Sequence, residues 1–293
     1  MKLPTKFLTC LIMLCSTITF GQDFQGQAHY FSKTSIDMSN FGGRQMSEDR
    51  RKQMEERMKT MFEKSYKLTF NKTESIYKEE EALAAPGSGG GGRFSMMMGS
   101  FTAGPQYKNV KENELRQQQE FFGKQFLIKD ELPKLEWKLE NETKQIGQYL
   151  CMKATAVKQL SDTDFTSFRR RGRGRDNNEQ SKDSTKTDNE EEFEIPKETI
   201  VTAWYTPQIP VNQGPGEYWG LPGLILEVNV DRTTILCTKI VLNPKNKTDI
   251  KKPEKGKEVT RQEYNDIVIK KTEEMRNMRG RGGRGRGGRG GRN

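Results

Sequence analysis

Alternation of apolar and polar side chains is the dominant pattern along this chain, and it predicts a sheet. Successive side chains of a strand point to opposite faces, so alternation is typical of antiparallel strands with one buried face and one wet face. The alternating or apolar runs lie at 27–35, 66–71, 74–80, 120–129, 135–142, 148–160, 199–206, 224–230 and 233–242. The predicted fold class is therefore mainly β (α+β), with a hairpin across Asp231 and Arg232.

Two stretches have helical rather than strand periodicity. Apolar side chains recur at i, i+4, i+7 and i+8 within 46–65, at Met54, Met58, Met61 and Phe62. Such a methionine stripe indicates a packing face rather than a ligand site. Towards the other end of the chain, Thr260 and Glu263 have the spacing of a capping box and predict a helix over 260–277.

The segment from Trp204 to Val228 constrains the backbone more than any other stretch. Proline fixes φ and glycine admits positive φ, so its Pro/Gly clusters demand a particular turn path before the apolar run at 224–228 enters the core. We interpret the following residues as structural: Gly214, Pro215, Gly220, Leu221, Pro222, Gly223, Leu224 and Ile225. Four aromatic side chains lie near these turns, and they either line an apolar pocket or docking edge, or pack the sheet and fix the turns. They are Trp204, Tyr205, Tyr218 and Trp219.

The first 21 residues have the organisation of an export signal. Lys2 and Lys6 form a charged region, residues 7–18 form a short apolar region, and small residues precede a cleavage point before Gln22. The apolar run is too short to be a stable membrane span. We therefore expect a cleaved product that is secreted or lies in the periplasm or on the outer surface of a Gram-negative cell.

Three stretches of low complexity interrupt or follow the predicted strands. Glycines and methionines are concentrated in 86–104, an Arg/Gly run and polar residues fill 161–198, and 279–293 consists almost wholly of Arg and Gly. Such compositions bury too little apolar surface to fold on their own. The expected organisation is a β-rich domain at 22–278, with disordered loops at 86–104 and 161–198 and a disordered Arg/Gly-rich tail at 279–293.

The formal net charge of +10 comes from the Arg/Gly stretches. Without them and the export signal the remainder is mildly acidic, so the sequence predicts no basic face on the domain itself. Arginines in such runs contact phosphates and stack on flat groups. The candidate polyanion contacts are Arg169, Arg170, Arg171, Arg281, Arg284, Arg286, Arg289 and Arg292. Since export removes the chain from intracellular RNA, the expected polyanions are lipopolysaccharide, acidic polysaccharide, anionic lipid or extracellular DNA. A tail with no dedicated partner is the alternative.

Catalytic and metal-binding spacings are not found in the sequence. His29 is the only histidine, and no sequence feature pairs it with a nucleophile, so a structural or surface role is expected. Cys151 and Cys237 with one distant histidine give no zinc spacing, and no cofactor motif is present. Both cysteines lie in predicted strands of an exported chain, which makes a disulfide between them a candidate. Two separate buried thiols are the alternative.

The hexapeptide at 220–225, Gly-Leu-Pro-Gly-Leu-Ile, resembles the signature of the GLPGLI family of exported Bacteroidota proteins, whose function is unknown. Further similar stretches lie at 66–68, 75–77, 126–128, 132–133, 137–139, 148–151, 153–155, 204–206, 209–211 and 214–215. The resemblance covers most of 24–275, and the three low-complexity stretches depart from it. The family supplies no catalytic residues. The fold it implies is a curved, antiparallel envelope domain, similar to the half-barrel of periplasmic lipoprotein carriers.

These features indicate a non-enzymatic, exported binding or interaction domain with neither metal nor cofactor. Its partner is expected to be an apolar ligand, such as a lipid, or an outer-membrane protein held by the curved sheet, with the Arg/Gly segments adding contacts to polyanions. Two alternatives stay open. One is a structural or interaction protein that acts only through its tails, and the other is a hydrolase directed at envelope material.

Overall fold

The computed structural model describes residues 24–35, 62–80, 101–159 and 198–282, together with a few positions between 47 and 56. For 101–103 and 276–282 it describes the backbone alone. The predicted export signal, most of the two predicted loops and the chain beyond 282 lie outside the described residues. The same holds for Met54, Met58, Met61, Arg169, Arg170, Arg171, Arg284, Arg286, Arg289 and Arg292.

Twelve strands form a single sheet, which confirms the mainly β fold class. The strands are β1 (Gly26–Thr34), β2 (Glu63–Phe70), β3 (Glu74–Glu79), β4 (Phe101–Asn109), β5 (Glu114–Phe121), β6 (Lys124–Glu131), β7 (Lys138–Ile146), β8 (Tyr149–Gln159), β9 (Glu198–Thr206), β10 (Leu224–Val230), β11 (Thr233–Leu242) and β12 (Lys257–Val259). Their order across the sheet is β12-β6-β5-β4-β3-β2-β1-β11-β10-β9-β8-β7. Neighbouring strands are antiparallel, except that β12 runs parallel to β6.

The sheet is curved, as the resemblance implied. Gln117 of β5 and Ile235 of β11 stand five places apart in the strand order, a separation of about 24 Å in a flat sheet. Both nevertheless line one cleft, so the intervening strands must bend around it. We call the face that bears Tyr30 and Leu68 the concave face, and the opposite face, which bears Lys67, the convex face.

Three apolar clusters stabilise this shape. Two of them include concave-face residues, one around Leu68 and the other around Ala203. The third forms where helix α1 (Arg261–Gly282) packs Tyr264 and Val268 against Phe126 of β6. Removing this apolar area from water stabilises the fold by roughly 25 cal/mol per Å².

Local turn and cap signals are confirmed. Gly147 has a φ of 57° and starts the turn into β8, and Asp231 has a φ of 50° in the hairpin between β10 and β11. Thr260 and Glu263 form the predicted capping box, since each backbone N–H donates to the other side chain, at 2.8 and 3.2 Å. The helix continues to Gly282, past the predicted end at Asn277, because each further residue of a formed helix adds one hydrogen bond at little cost.

The alternation predicts neither β4 nor β5 as the structure has them. The predictions for residues 101–104 and for residues 120–129 are therefore wrong. Residues 101–104 belong to β4 rather than to a loop, and 120–129 is not one strand, since β5 and β6 meet at a turn around Gly123. The reason is chemical. Gln106 and Lys108 of β4 are buried although they are polar, and β5 carries three consecutive glutamines, so neither strand shows the expected apolar face.

The predicted boundaries also differ from the structure in three other places. Strand β2 begins at Glu63, inside the predicted helix at 46–65, because Glu63 pairs with Lys33 of β1. Strand β7 begins at Lys138 rather than 135. The three-residue strand β12 is not predicted, since its only ladder is the long-range pairing with β6. Of the helical residues described, no stretch is long and apolar enough for a bilayer crossing.

Candidate functional site

The turn-rich stretch at 207–223, which we call the motif segment, folds back on the start of β10. Leu224 donates its N–H to the carbonyl of Ile209 at 2.9 Å, and Ile225 donates to the carbonyl of Gln213 at 3.1 Å. The segment therefore supplies backbone partners to β10 before its ladder with β11 begins at Glu227. Its prolines and glycines set a path that ends in the sheet, as the sequence indicated.

A tight turn at 214–218 anchors the motif segment to β4. The N–H of Tyr218 donates to the carbonyl of Pro215 at 3.1 Å. The Nζ of Lys108, on β4, donates to the carbonyl oxygens of Gly214 at 2.7 Å and Tyr218 at 3.2 Å. Buried carbonyls need such donors, so Lys108 fixes the turn against the concave face.

Two further side-chain contacts extend this anchoring to other strands. The hydroxyl of Ser75, on β3, donates to Oε1 of Gln213 at 2.7 Å. Lys158, on β8, forms an ion pair of 2.6 Å with Glu217. The motif segment thus connects strands that lie on opposite sides of the concave face.

Two tryptophans join the motif segment to the connection between β6 and β7. The indole N–H of Trp137 donates to the carbonyl of Trp219, and the indole N–H of Trp219 donates to the carbonyl of Pro133, both at 2.8 Å. Gly220 has a φ of 93°, and a Cβ there would approach the Trp137 indole at 3.9 Å. These reciprocal bonds tie together residues that are more than 80 positions apart.

Lys108 is the most unusual ionisable group on the concave face. It is fully buried, and burial lowers its pKa from 10.5 to about 7, although the negative charge of Glu217 acts in the opposite direction. A buried ammonium is costly because it loses its hydration. The amine keeps its two hydrogen bonds in either charge state, so its geometry fits an anchoring role.

A cleft of about 190 Å³ opens on the concave face beyond the motif segment. It is lined by Ser32, Tyr66, Tyr77, Glu79, Gly104, Gln106, Gln117 and Ile235. The rings of Tyr66 and Tyr77 are stacked, with centroids 4.7 Å apart and planes 12° apart. Pockets that enclose whole drug-sized ligands measure about 300–1,000 Å³, so this cleft suits a single side chain or a group of similar size.

The tyrosines of the cleft are held in the neutral form. Burial, with the charge of Glu79 adding to it, raises the pKa of Tyr66 to about 12. Burial also raises the pKa of Tyr77 well above its ordinary value, and the charges of Tyr66 and Glu79 act in the same direction. The carboxylate of Glu79 is itself paired with Lys64 at 2.9 Å. The cleft therefore offers flat aromatic surface, amides and one paired carboxylate.

The four aromatic residues near the turns serve packing or positioning. Tyr205 and Tyr218 are buried in the second apolar cluster, and Trp219 bonds to Pro133. Trp204 packs against the first apolar cluster, with Nζ of Lys144 at 5.3 Å from its ring centroid. None of the four is among the residues that line the cleft.

Cys151 and Cys237 are both buried and free, and both belong to the first apolar cluster. Burial raises the pKa of Cys151 to about 11 and that of Cys237 to about 12. Such thiols are protonated and unreactive at neutral pH. The disulfide between them stays a prediction.

His29 lies on the convex face, and its Nδ1 contacts the carboxylate of Glu80 at 3.1 Å. Within the described ranges, no three His, Cys, Asp or Glu side chains are grouped to hold a metal ion.

Sequence reasoning did not identify Lys108, Ser75, Tyr66 or Tyr77 as parts of this region. Lys108 was missed because Gly104 and Pro105 lie close to it in the sequence. A lysine near a Gly-Pro pair is typical of a loop rather than of a buried strand. Its importance comes from the carbonyls of a segment more than 100 residues away.

Comparison with known proteins gives one family match. The family model described as "Protein of unknown function (Porph_ging)" matches residues 137–227, a range that contains the motif segment. This family corresponds to the GLPGLI family, so the resemblance found in the sequence is confirmed. No curated protein matches the chain.

Two solved structures of PNGF-II are also similar to the chain. They are described as "Structure of PNGF-II in C2 space group" and "Structure of PNGF-II in P21 space group", both at 14% identity, with TM-scores of 0.45 and 0.47. The similarity covers 85% of this chain but 33% and 34% of those chains. The chain therefore spans about a third of the length of these structures.

Proposed function

We propose that this chain, whose residues 137–227 match the model of the Porph_ging family of unknown function, is an exported, non-enzymatic binding domain of the cell envelope. Its concave cleft receives one apolar or aromatic side chain, or a group of similar size, from an outer-membrane partner. Its Arg/Gly segments add electrostatic contacts to polyanions in the same compartment.

The observation that carries this proposal is the stacked pair Tyr66 and Tyr77 in a cleft of about 190 Å³. Aromatic rings with nearby amides bind a group that is apolar along its length and polar at its tip. The volume favours a protein side chain over a complete lipid. The motif segment bonds to Ser75 of β3 and Lys108 of β4, two strands that also supply cleft walls. Such preorganisation lowers the entropic cost of binding.

Filling the cleft is expected to abolish partner binding. In Ser32→Phe, the added ring enters the cleft, because Ser32 lies in its wall. A photo-crosslinking residue at Lys64, whose Nζ lies 2.9 Å from the Glu79 carboxylate, is expected to yield a defined adduct in envelopes of the host. The adduct should be lost in Ser32→Phe, as seen by mass spectrometry of the crosslinked protein.

The matched control for this experiment is Lys33→Phe, which adds the same ring at the next position of β1 on the convex face. The Lys33 side chain is 58% exposed, so this change leaves the cleft open and the adduct should persist. An adduct that survives Ser32→Phe unchanged would contradict docking in the cleft. A lipid that co-purifies in native mass spectrometry and disappears in Ser32→Phe would assign the cleft to an apolar ligand instead.

The Arg/Gly tail is expected to contribute salt-sensitive retention on heparin. Replacing the four arginines beyond helix α1 by serine removes four positive charges while keeping the chain length: Arg284, Arg286, Arg289 and Arg292. Each neutralised phosphate or sulfate contact changes the slope of log affinity against log salt by about 0.7–0.9. The serine variant should therefore elute at lower salt, and the corresponding lysine variant should stay close to the original. Equal elution of the serine variant would refute a role for the tail.

A further inference from the structure

The convex face carries a row of basic side chains that the net charge of the chain does not reveal. Lys239 of β11 pairs with His29 of β1, His29 pairs with Lys67 of β2, and Lys67 pairs with Lys78 of β3. These four residues, which we call the basic stripe, therefore stand side by side on four adjacent strands. At about 4.8 Å per strand, the stripe is about 15 Å long.

The alternation of each strand directs the basic stripe away from the core. Tyr66 and Leu68 flank Lys67 and belong to the apolar cluster around Leu68, and Tyr77 and Glu79 flank Lys78 and line the cleft. The side chains between them must then point to the convex side. Lys78 and Lys239 are exposed, and Lys67 is half-buried.

Within the part of the chain that the structure describes, no carboxylate balances the lysines of the basic stripe. Other strand lysines form ion pairs, such as Lys64 with Glu79 at 2.9 Å and Lys144 with Glu227 at 2.6 Å. Among the described residues, no carboxylate lies within ion-pair distance of the three stripe lysines, and the carboxylate beside His29 is Glu80, at 3.1 Å. Lys67 and Lys78 stand directly opposite each other, and like charges in such a pair destabilise a sheet, so this pair costs stability in the unbound protein.

A lysine-rich connection runs alongside the basic stripe. Residues 245–257, which we call the lysine strap, cross the convex face from β1 to β5. Gln27 of β1 donates to the hydroxyl of Thr248 at 3.2 Å, and Gln118 of β5 donates to the carbonyl of Lys255 at 3.3 Å. Between them, Lys252 is paired with Glu112 at 3.1 Å and with Glu114 at 2.9 Å, and its Nζ lies 5.4 Å from the ring centroid of Tyr107 on β4. Lys252 therefore anchors the strap, and the exposed lysines around it carry the charge that faces solvent.

The strap lies beside the stripe because of the strand register. Gln27, Thr69, Ile76 and Tyr107 form the next cross-strand row, two residues along each strand from the stripe, and such rows are about 7 Å apart. Five lysines of the strap are exposed: Lys245, Lys247, Lys251, Lys255 and Lys257. The strap also contains the acids Asp249, 3.9 Å from Lys251, and Glu254. The surface is therefore elongated and predominantly basic.

We propose that the basic stripe and the lysine strap together form a binding face for an extended polyanionic chain that carries phosphate or sulfate groups. Two parallel lines of basic side chains match the repeated charges of a linear polymer better than they match a compact anion. This proposal deepens the polyanion part of the proposed function, but it rests on folded residues rather than on the Arg/Gly segments. It also revises the sequence-based expectation of a domain without a basic face, because a mildly acidic total charge does not prevent cations from segregating to one face.

The test uses the full chain in a two-by-two design. One change is the face variant, Lys67→Gln with Lys78→Gln and Lys239→Gln. The other is the serine replacement of the four tail arginines. Each variant and their combination are titrated with heparin and with long-chain inorganic polyphosphate at several salt concentrations. A matched control, Lys124→Gln with Lys134→Gln and Lys138→Gln, removes the same charge from exposed lysines outside the stripe and the strap.

The face variant is expected to reduce the salt slope by about 2 for both polymers, with or without the tail arginines. The control triple variant should leave the slope nearly unchanged. A face variant that behaves like the control would overturn the proposal, even if the tail variant shows that the tail binds. Loss of binding in the face variant alone would support the face and refute the tail. Binding to phosphatidylglycerol vesicles without binding to either soluble polymer would overturn the extended chain in favour of a membrane surface.

Discussion

Gly223→Ala is expected to destabilise the protein by about 3 kcal/mol or more, which is the upper range for forced overpacking in a close-packed interior. A Cβ at this position would lie 2.2 Å from the carbonyl oxygen of Thr206, 2.6 Å from its carbon and 3.0 Å from the nitrogen of Pro207. All three are backbone atoms, so no side-chain rotation relieves the overlap. The end of β9 and the start of β10 would have to separate where they pair.

Urea unfolding followed by circular dichroism measures this loss of stability. Gly147→Ala is the matched control. Gly147 has a φ of 57°, but a Cβ there meets nothing within 4 Å, so the variant carries only the conformational cost of about 1–2 kcal/mol. If Gly223→Ala unfolds at the same urea concentration as the original protein, the close approach at Thr206 does not determine the path of the motif segment.

The contrast between these two glycines shows what the sequence can predict. Gly147 and Asp231 sit between alternating runs, so local patterning is enough to predict the turns they form. The need for glycine at position 223 depends on Thr206, across a ladder between β9 and β10. The sequence predicts that the segment turns, but the identity of the atoms it approaches is a long-range property.

The same limit explains the strands and the site that were missed. Pattern analysis assumes that a buried face is apolar, yet Gln106 and Lys108 are buried. Lys108 is tolerated because the motif segment supplies it with two acceptors, the carbonyls of Gly214 and Tyr218. A polar strand that is satisfied by a distant loop cannot be distinguished from a loop by local composition. The cleft was missed for a related reason, since its walls come from six strands.

The stability of the protein is expected to depend on pH through Lys108. In the folded state burial lowers its pKa to about 7, whereas the ordinary value is 10.5. Between these two values the unfolded chain binds more protons than the folded one, so the free energy of unfolding rises with pH. Below about pH 7 the amine is charged in both states, and this contribution no longer changes with pH.

Lys108→Met removes this titration and both hydrogen bonds. Relative to Lys108→Met, the original protein should gain about 2 kcal/mol of stability between pH 7 and pH 9. At pH 9 the variant should be clearly the less stable protein, because the neutral amine still donates to the carbonyls of Gly214 and Tyr218, and methionine cannot. Chemical denaturation of both proteins at each pH measures the difference. The raised pKa values of Tyr66 and Tyr77 affect both proteins alike and cancel.

Lys134→Met supplies the comparison for a lysine that is exposed, and its stability difference from the original protein should stay flat from pH 7 to pH 9. If the stability difference for Lys108→Met were also constant from pH 7 to pH 9, water would reach the Lys108 amine and burial would not lower its pKa. If the stability difference between the original protein and Lys108→Met became smaller as the pH rises, the turn would bind the ammonium form in preference to the neutral amine. Only a widening difference fits an amine that is held in a dry site by two backbone carbonyls, so the pH series tests directly whether Lys108 anchors the motif segment to the sheet.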